Sequence, residues 1–189
     1  MAITGRSLGD AASHFKNHLN AVLARTITPV PLSLIVVDKK SLAMLSFRRD
    51  GSPAGVALNS RFGQLRLWVG QTCGATEAGE KSHRLFTDAY RYTITFGDSP
   101  EPLLRWEYSR TRGNGVGLWC RHHLQGAIDL KLGDTAVPLN DWHLPTGYVP
   151  LEEVVRFCIV DLGADPLTPD WNDVLDESYR RFKTEFTSA

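Results

Sequence analysis

The feature that most constrains the fold is a pair of alternating runs with almost nothing between them. In Ala89 to Phe96, Tyr90, Tyr92, Ile94 and Phe96 share one parity; in Leu103 to Tyr108, Leu104, Trp106 and Tyr108 do the same. Period-two alternation of this kind is the signature of a strand with one buried face. The join is Gly97-Asp98-Ser99-Pro100, a turn sequence far too short for a parallel crossover, which takes a dozen residues or more. The two runs therefore predict antiparallel neighbours. Leu103, Arg105 and Glu107 fall on the parity opposite Trp106, which places the charged pair on the face away from the aromatic one.

Strands are also predicted upstream, at Leu32 to Val37, Leu42 to Phe47 and Gln64 to Val69. Downstream, Leu118 to Gly126 follows the turn-rich Thr111 to Gly115, and Asp129 to Asp134 adds a final short strand. Residues 70 to 84 are small and polar and read as a loop, either a plain connection or a lid. Three helices frame the strands. Residues 7 to 25 place Leu8, Ala11, Ala12, Phe15, Leu19, Val22 and Leu23 at helical spacing, with Ser7 as cap. Pro150 opens a second helix that stops at Gly163, and Thr168-Pro169 opens a third. The expectation is one α+β domain over residues 1–189: a largely antiparallel sheet of about six strands, with one N-terminal and two C-terminal helices packed on it.

The 21 basic and 21 acidic residues cancel, so no global charge advertises nucleic acid. No apolar run approaches the roughly 20 residues of a membrane-spanning helix, and the N-terminus lacks the pattern of a secretory signal. Cys73, Cys120 and Cys158 are widely spaced and form no Cys-x-x-Cys pair. These features predict a cytoplasmic protein without membrane attachment.

Polar chemistry concentrates in residues 105 to 123, which hold Arg105, Glu107, Arg110, Arg112, Arg121, His122 and His123. In the second of these strands Trp119, Arg121, His123 and Gln125 share one parity, while His122 falls with Leu118, Cys120 and Leu124 on the more apolar side. His122 thus reads as buried, either as a hydrogen-bonded core residue or as a base tuned by burial. His14 and His18 share one side of the first helix, but no further metal ligands accompany them, and boundary histidines are the simpler reading. No phosphate-binding loop, zinc motif or serine-nucleophile motif is present, and no cofactor or metal is expected.

The order of parts from Tyr90 to about Leu162 resembles the TumE-type toxin family of bacterial toxin-antitoxin modules. The resemblance is carried by Tyr90-Arg91-Tyr92, Arg105-Trp106-Glu107-Tyr108, the basic turn, Arg121-His122-His123, and Leu151-Glu152-Glu153-Val154 opening a helix. The histidines are adjacent here, where the family tends to His-x-His. The resemblance implies an RNA substrate and an antitoxin partner. It also implies a metal-independent endoribonuclease site in which His122 or His123 serves as base or acid and Glu107 as the complementary carboxylate. Arg105, Arg110 and Arg121 would hold the phosphate, and Tyr92 or Trp119 would stack a base.

Two other readings stand beside it. One is a non-catalytic protein-interaction domain in which the exposed sheet face and the acidic C-terminal helix engage a partner protein; Arg105 and Glu107 on that face otherwise read as a purely structural ion-pair network, with the tryptophans in the core. A metal-dependent hydrolase would use His122, His123, His143 and a carboxylate. Geometry discriminates among them: an enzyme needs Arg105, Glu107 and at least one of the two histidines around a common point in a cleft.

Overall fold

The computed structural model describes residues 3–37, 41–79, 82–110, 121–141 and 143–186; of the side chains, those of residues 130, 132, 141 and 182–186 are not described. Helix α1 (Leu8–Thr26) begins as its sequence dictates. Ser7 Oγ accepts a hydrogen bond from the Asp10 N–H at 3.2 Å, and Ala11, Ala12, Phe15, Leu19, Val22 and Leu23 form its buried stripe. Helix α2 (Leu151–Val160) follows Pro150 and is succeeded by Gly163 at φ +63°, a left-handed turn that suits a residue without Cβ. Helix α3 is Trp171–Phe186.

Between α1 and α2 run β2 (Ser33–Val37), β3 (Leu42–Ser46), β4 (Arg48–Arg49), β5 (Ser52–Pro53), β6 (Val56–Ser60), β7 (Gly63–Glu77), β8 (His83–Phe96) and β9 (Pro102–Ser109). They are followed by β10 (His122–Gln125), β11 (Asp129–Leu132), β12 (Thr135–Pro138) and β13 (Leu144–Pro145), while β1 (Thr4–Gly5) precedes α1. Among the described residues the main sheet has nine strands in the order β13-β10-β9-β8-β7-β3-β2, with β1 added to β8 and β6 to β7. The α+β class, the antiparallel sheet and the three helices agree with the sequence reading; the sheet is larger than about six strands.

Two expectations are corrected. Residues 70 to 84 are not a loop over most of their length, because β7 runs through Glu77 and β8 starts at His83. Small residues there are matched across the ladder by large ones: Gly74 pairs with Phe86 and Ala75 with Leu85. A Cβ on Gly74 would stand 2.4 Å from the Phe86 ring, so the small side chain is what the pairing requires. Asp129 to Leu132 is the short strand expected there, paired with β12 in a separate hairpin, but it is not the final strand, since β12 and β13 follow it.

One core cluster joins a single sheet face to the helices. Leu45, Leu67, Val69, Tyr92, Ile94, Leu104 and Trp106 from the strands meet Phe15, Leu19, Leu23, Val154, Val155, Cys158 and Leu175 from the helices. Trp106 packs edge-on against Phe157 of α2, ring centroids 5.5 Å apart. Residues of the opposite parity occupy the face that carries no helix.

Candidate functional site

The ladder registers define that open face row by row. One row reads Ser33, Ser46, Gly70, Arg91, Glu107, His123 and Pro145 across β2, β3, β7, β8, β9, β10 and β13. A neighbouring row reads Ile35, Met44, Thr72, Ala89 and Ser109, and on the other side Trp68, Thr93, Arg105 and Gln125 lie in line. The sheet's centre is thus floored by small residues, with Met44 toward one edge and charged residues toward the other. This face holds an open groove of about 1110 Å³, bordered by Arg48 and Pro53 of the β4–β5 hairpin on one side and by Glu107, Arg121, His123 and His143 on the other.

The polar wall is built around Glu107. Its carboxylate takes an ion pair from Arg91 Nε on β8, lies 3.3 Å from Arg105 Nε on its own strand, and accepts a hydrogen bond from His123 Nε2 at 3.2 Å. Burial raises the pKa of this carboxyl, but the Arg91 and Arg105 guanidiniums and their hydrogen-bonding neighbours outweigh it, and the group is held below its ordinary value. Arg105 also donates to Gln125 Oε1, and Gln125 Nε2 donates to His143 Nε2 at 3.1 Å. Donation from Nε2 to a carboxylate leaves Nδ1 of a neutral His123 as an acceptor, and that buried atom has no hydrogen-bond partner.

His122 takes the other face. Its ring stacks on Tyr108 with centroids 4.3 Å apart, and its Nδ1 lies 3.3 Å from the Tyr90 hydroxyl, which itself accepts from the Val149 N–H. Burial, then the nearby Arg121 and His123, holds its pKa below the ordinary imidazole value. The burial expected of His122 belongs instead to its neighbour: His123 is 7 % exposed and His122 half-buried. β9 ends at Ser109, just beyond the Tyr108 that pairs with His122, whereas Glu107 and His143 close over His123.

The structure therefore brings Arg105, Glu107 and His123 together and keeps His122 apart. Arg121 is exposed at the groove's rim, and Arg110 lies over the Phe86 ring at 4.2 Å. Tyr92 is 1 % exposed on the helix-covered face, its hydroxyl donating to Gln71 Oε1 at 3.0 Å, and no base reaches it there. Trp119, and with it residues 118–120 of the expected strand, lies outside the described residues. Arg91, Trp68 and Met44 are groove residues that the sequence pattern does not single out as a site, and His143 enters there only as a ligand of the metal-dependent reading. Arg91 was within reach of that pattern, since it has the parity opposite Tyr90 and Tyr92 and so belongs on Glu107's face.

Among the described residues no three of His, Cys, Asp and Glu are grouped to hold a metal. The set His122, His123 and His143 is not assembled, because the sheet separates the first from the other two. On α1, His14 Nδ1 is bound to the Thr4 carbonyl at 3.0 Å, and His18 Nε2 donates to Ser178 Oγ at 2.8 Å. Among the described residues no helix is long and apolar enough to cross a membrane. The fold and groove define an α+β protein with one sheet face covered by helices and the other open. No family model matches the chain, and neither a curated protein nor a solved structure matches it.

Proposed function

We propose that this chain is a non-catalytic protein-interaction domain whose interface is the open sheet face. The observation that carries the reading is the state of Glu107. Cleavage of RNA without metal requires an acid and a base on opposite sides of the phosphate, with cations free to meet its charge. Here Glu107 and His123 touch each other, and Arg105 is held between that carboxylate and Gln125. Such a network shapes and rigidifies a surface. The buried free thiols Cys73 and Cys158 accord with a cytoplasmic setting for such a domain.

A second reading, the endoribonuclease of a TumE-like toxin held in check by an antitoxin, is favoured by one observation. Glu107 and His123 line the groove with Arg105 beside the carboxylate, and Glu107 orients an imidazole whose Nδ1 is unpartnered, as a general base would be. The experiment is expression of the intact protein in a bacterial host beside Glu107→Gln and His123→Ala, with folding checked by circular dichroism and total RNA examined. Normal growth and intact RNA from folded protein are expected. Growth arrest with RNA breakage, lost in an equally folded Glu107→Gln, would transfer the assignment to the ribonuclease.

A further inference from the structure

The two sides of the groove differ in chemistry, and its breadth matches a single secondary-structure element. Met44 on β3 and Glu107 on β9 stand on strands three steps apart, roughly 14 Å at about 4.8 Å per step. An α-helix with its side chains is about 10–12 Å across. The floor between them is Gly70, Thr72, Ala89 and Thr93, small enough for a helix to settle on. A Cβ on Gly70 would meet only the Arg91 carbonyl oxygen, at 3.6 Å, so the space above it is open. Arg91 leans away from Gly70 onto Glu107 and is 67 % exposed, leaving the floor clear.

Chemistry then selects the helix. On the β3 side Met44 is 47 % exposed, and Trp68, 36 % exposed, rises from the floor, so an apolar stripe is accommodated there. Arginine side chains in the lining are Arg48, Arg91 and Arg121, whereas Glu107 is the one carboxylate among the described lining residues. We infer that the groove receives an amphipathic α-helix of a partner protein, its apolar stripe toward Met44 and Trp68 and its carboxylates toward Arg91 and Arg121. The inference rests on the reading of the open face as a protein interface. RNA fits the same surface less well. Of the described tryptophan, tyrosine and phenylalanine residues in the lining, Trp68 alone has the parity of the open face, and a single-strand site needs successive stacking platforms.

The test uses the full chain and three fluorescein-labelled probes: an amphipathic peptide of about 18 residues, five turns, with opposed leucine and glutamate stripes; its lysine-for-glutamate counterpart; and a single-stranded RNA. The glutamate peptide is expected to bind at least about 10-fold more tightly than the lysine peptide. The double variant Arg91→Glu/Arg121→Glu should reverse that order. Gly70→Phe, which fills the floor of a groove it does not clash with, should abolish binding while circular dichroism shows an unchanged fold. Equal or tighter binding of the lysine peptide, or tighter binding of RNA, overturns the inference. A photo-crosslinker at Thr93, with Asn17 on the exposed side of α1 as control, separates its failure from that of the underlying reading. Protein adducts specific to Thr93 whose mapped segment carries carboxylates at helical spacing support both. Specific adducts on a basic or non-helical segment sink the helix alone, and RNA adducts sink the interface reading with it.

Discussion

His122 and His123 are consecutive, yet one stacks on Tyr108 on the helix-covered side of the sheet while the other is hydrogen-bonded to Glu107 on the open side. A strand imposes this separation, because successive side chains leave it in opposite directions. A double substitution therefore perturbs two unrelated environments at once. Single variants are the informative ones, with His123→Ala reporting on the groove and His122→Ala on the aromatic cluster of Tyr90, Tyr108 and Tyr148.

Glu107→Gln is expected to destabilise the protein by about 2 kcal/mol, because Arg105 and His123 lose the partner that balances them in a poorly hydrated setting. Arg91→Ala, removing a guanidinium two-thirds exposed, should cost less than about 1 kcal/mol. Urea unfolding at pH 7 compares the two. The folded pKa of Glu107 lies below the unfolded value, so its contribution is present above the unfolded value and is lost as pH falls through the folded one. The gap between wild type and Glu107→Gln should accordingly narrow in acid, and a gap that stays constant down to pH 3 contradicts the assignment.

Glu152 should behave in the opposite sense. It is 2 % exposed near the start of α2 and accepts from Ser178 Oγ of α3, the same hydroxyl that accepts from His18 of α1. Burial raises its pKa despite the Ser178 bond. A raised carboxyl stabilises the fold fully below the unfolded pKa, and that stability is lost as pH rises through the folded value. Glu152→Gln keeps an acceptor for Ser178 and carries no charge. Thermal melts should show it more stable than wild type at pH 8, by on the order of 1 kcal/mol, with the advantage shrinking toward pH 5.

Tyr92→Phe removes the donor to Gln71 Oε1 inside the core while leaving the ring packing in place. Gln71 is itself 3 % exposed, so no bulk water replaces the lost bond. A loss of about 1–3 kcal/mol is expected in urea unfolding, and an unchanged midpoint would mean that Gln71 finds another donor.

Gly126→Ala tests a close approach of two backbones at the end of β10. A Cβ there would stand 2.3 Å from the Leu103 carbonyl oxygen, a contact that a side-chain rotation cannot relieve. The expected cost is about 2 kcal/mol or more, and Gly70→Ala, which meets its nearest atom at ordinary contact distance, serves as the tolerated control.

The parts of the fold legible in the sequence are those with undiluted periodicity. α1 announced both its cap and its buried stripe, and the Tyr90 and Trp106 runs declared which face is core. β7 beyond Val69 was hidden because its small residues answer large ones on β8, and pairing between strands is not written in either alone. The charged site was half legible for the same reason. The parity of Arg105, Glu107 and His123 was readable, but their meeting with Arg91 depends on register, and the closure of His143 over His123 depends on β13 joining the sheet edge.

All three helices lie against one side of the sheet, and this has an evolutionary consequence. Residues such as Met44, Gly70, Thr72 and Thr93 hold no helix in place, so each can be exchanged with little penalty to folding. A lineage under pressure to follow a drifting partner could rewrite its recognition surface by point substitutions there and keep its architecture throughout. Divergence between related chains should then be uneven, with the helix-facing positions of β7, β8 and β9 preserved and the positions between them changing quickly.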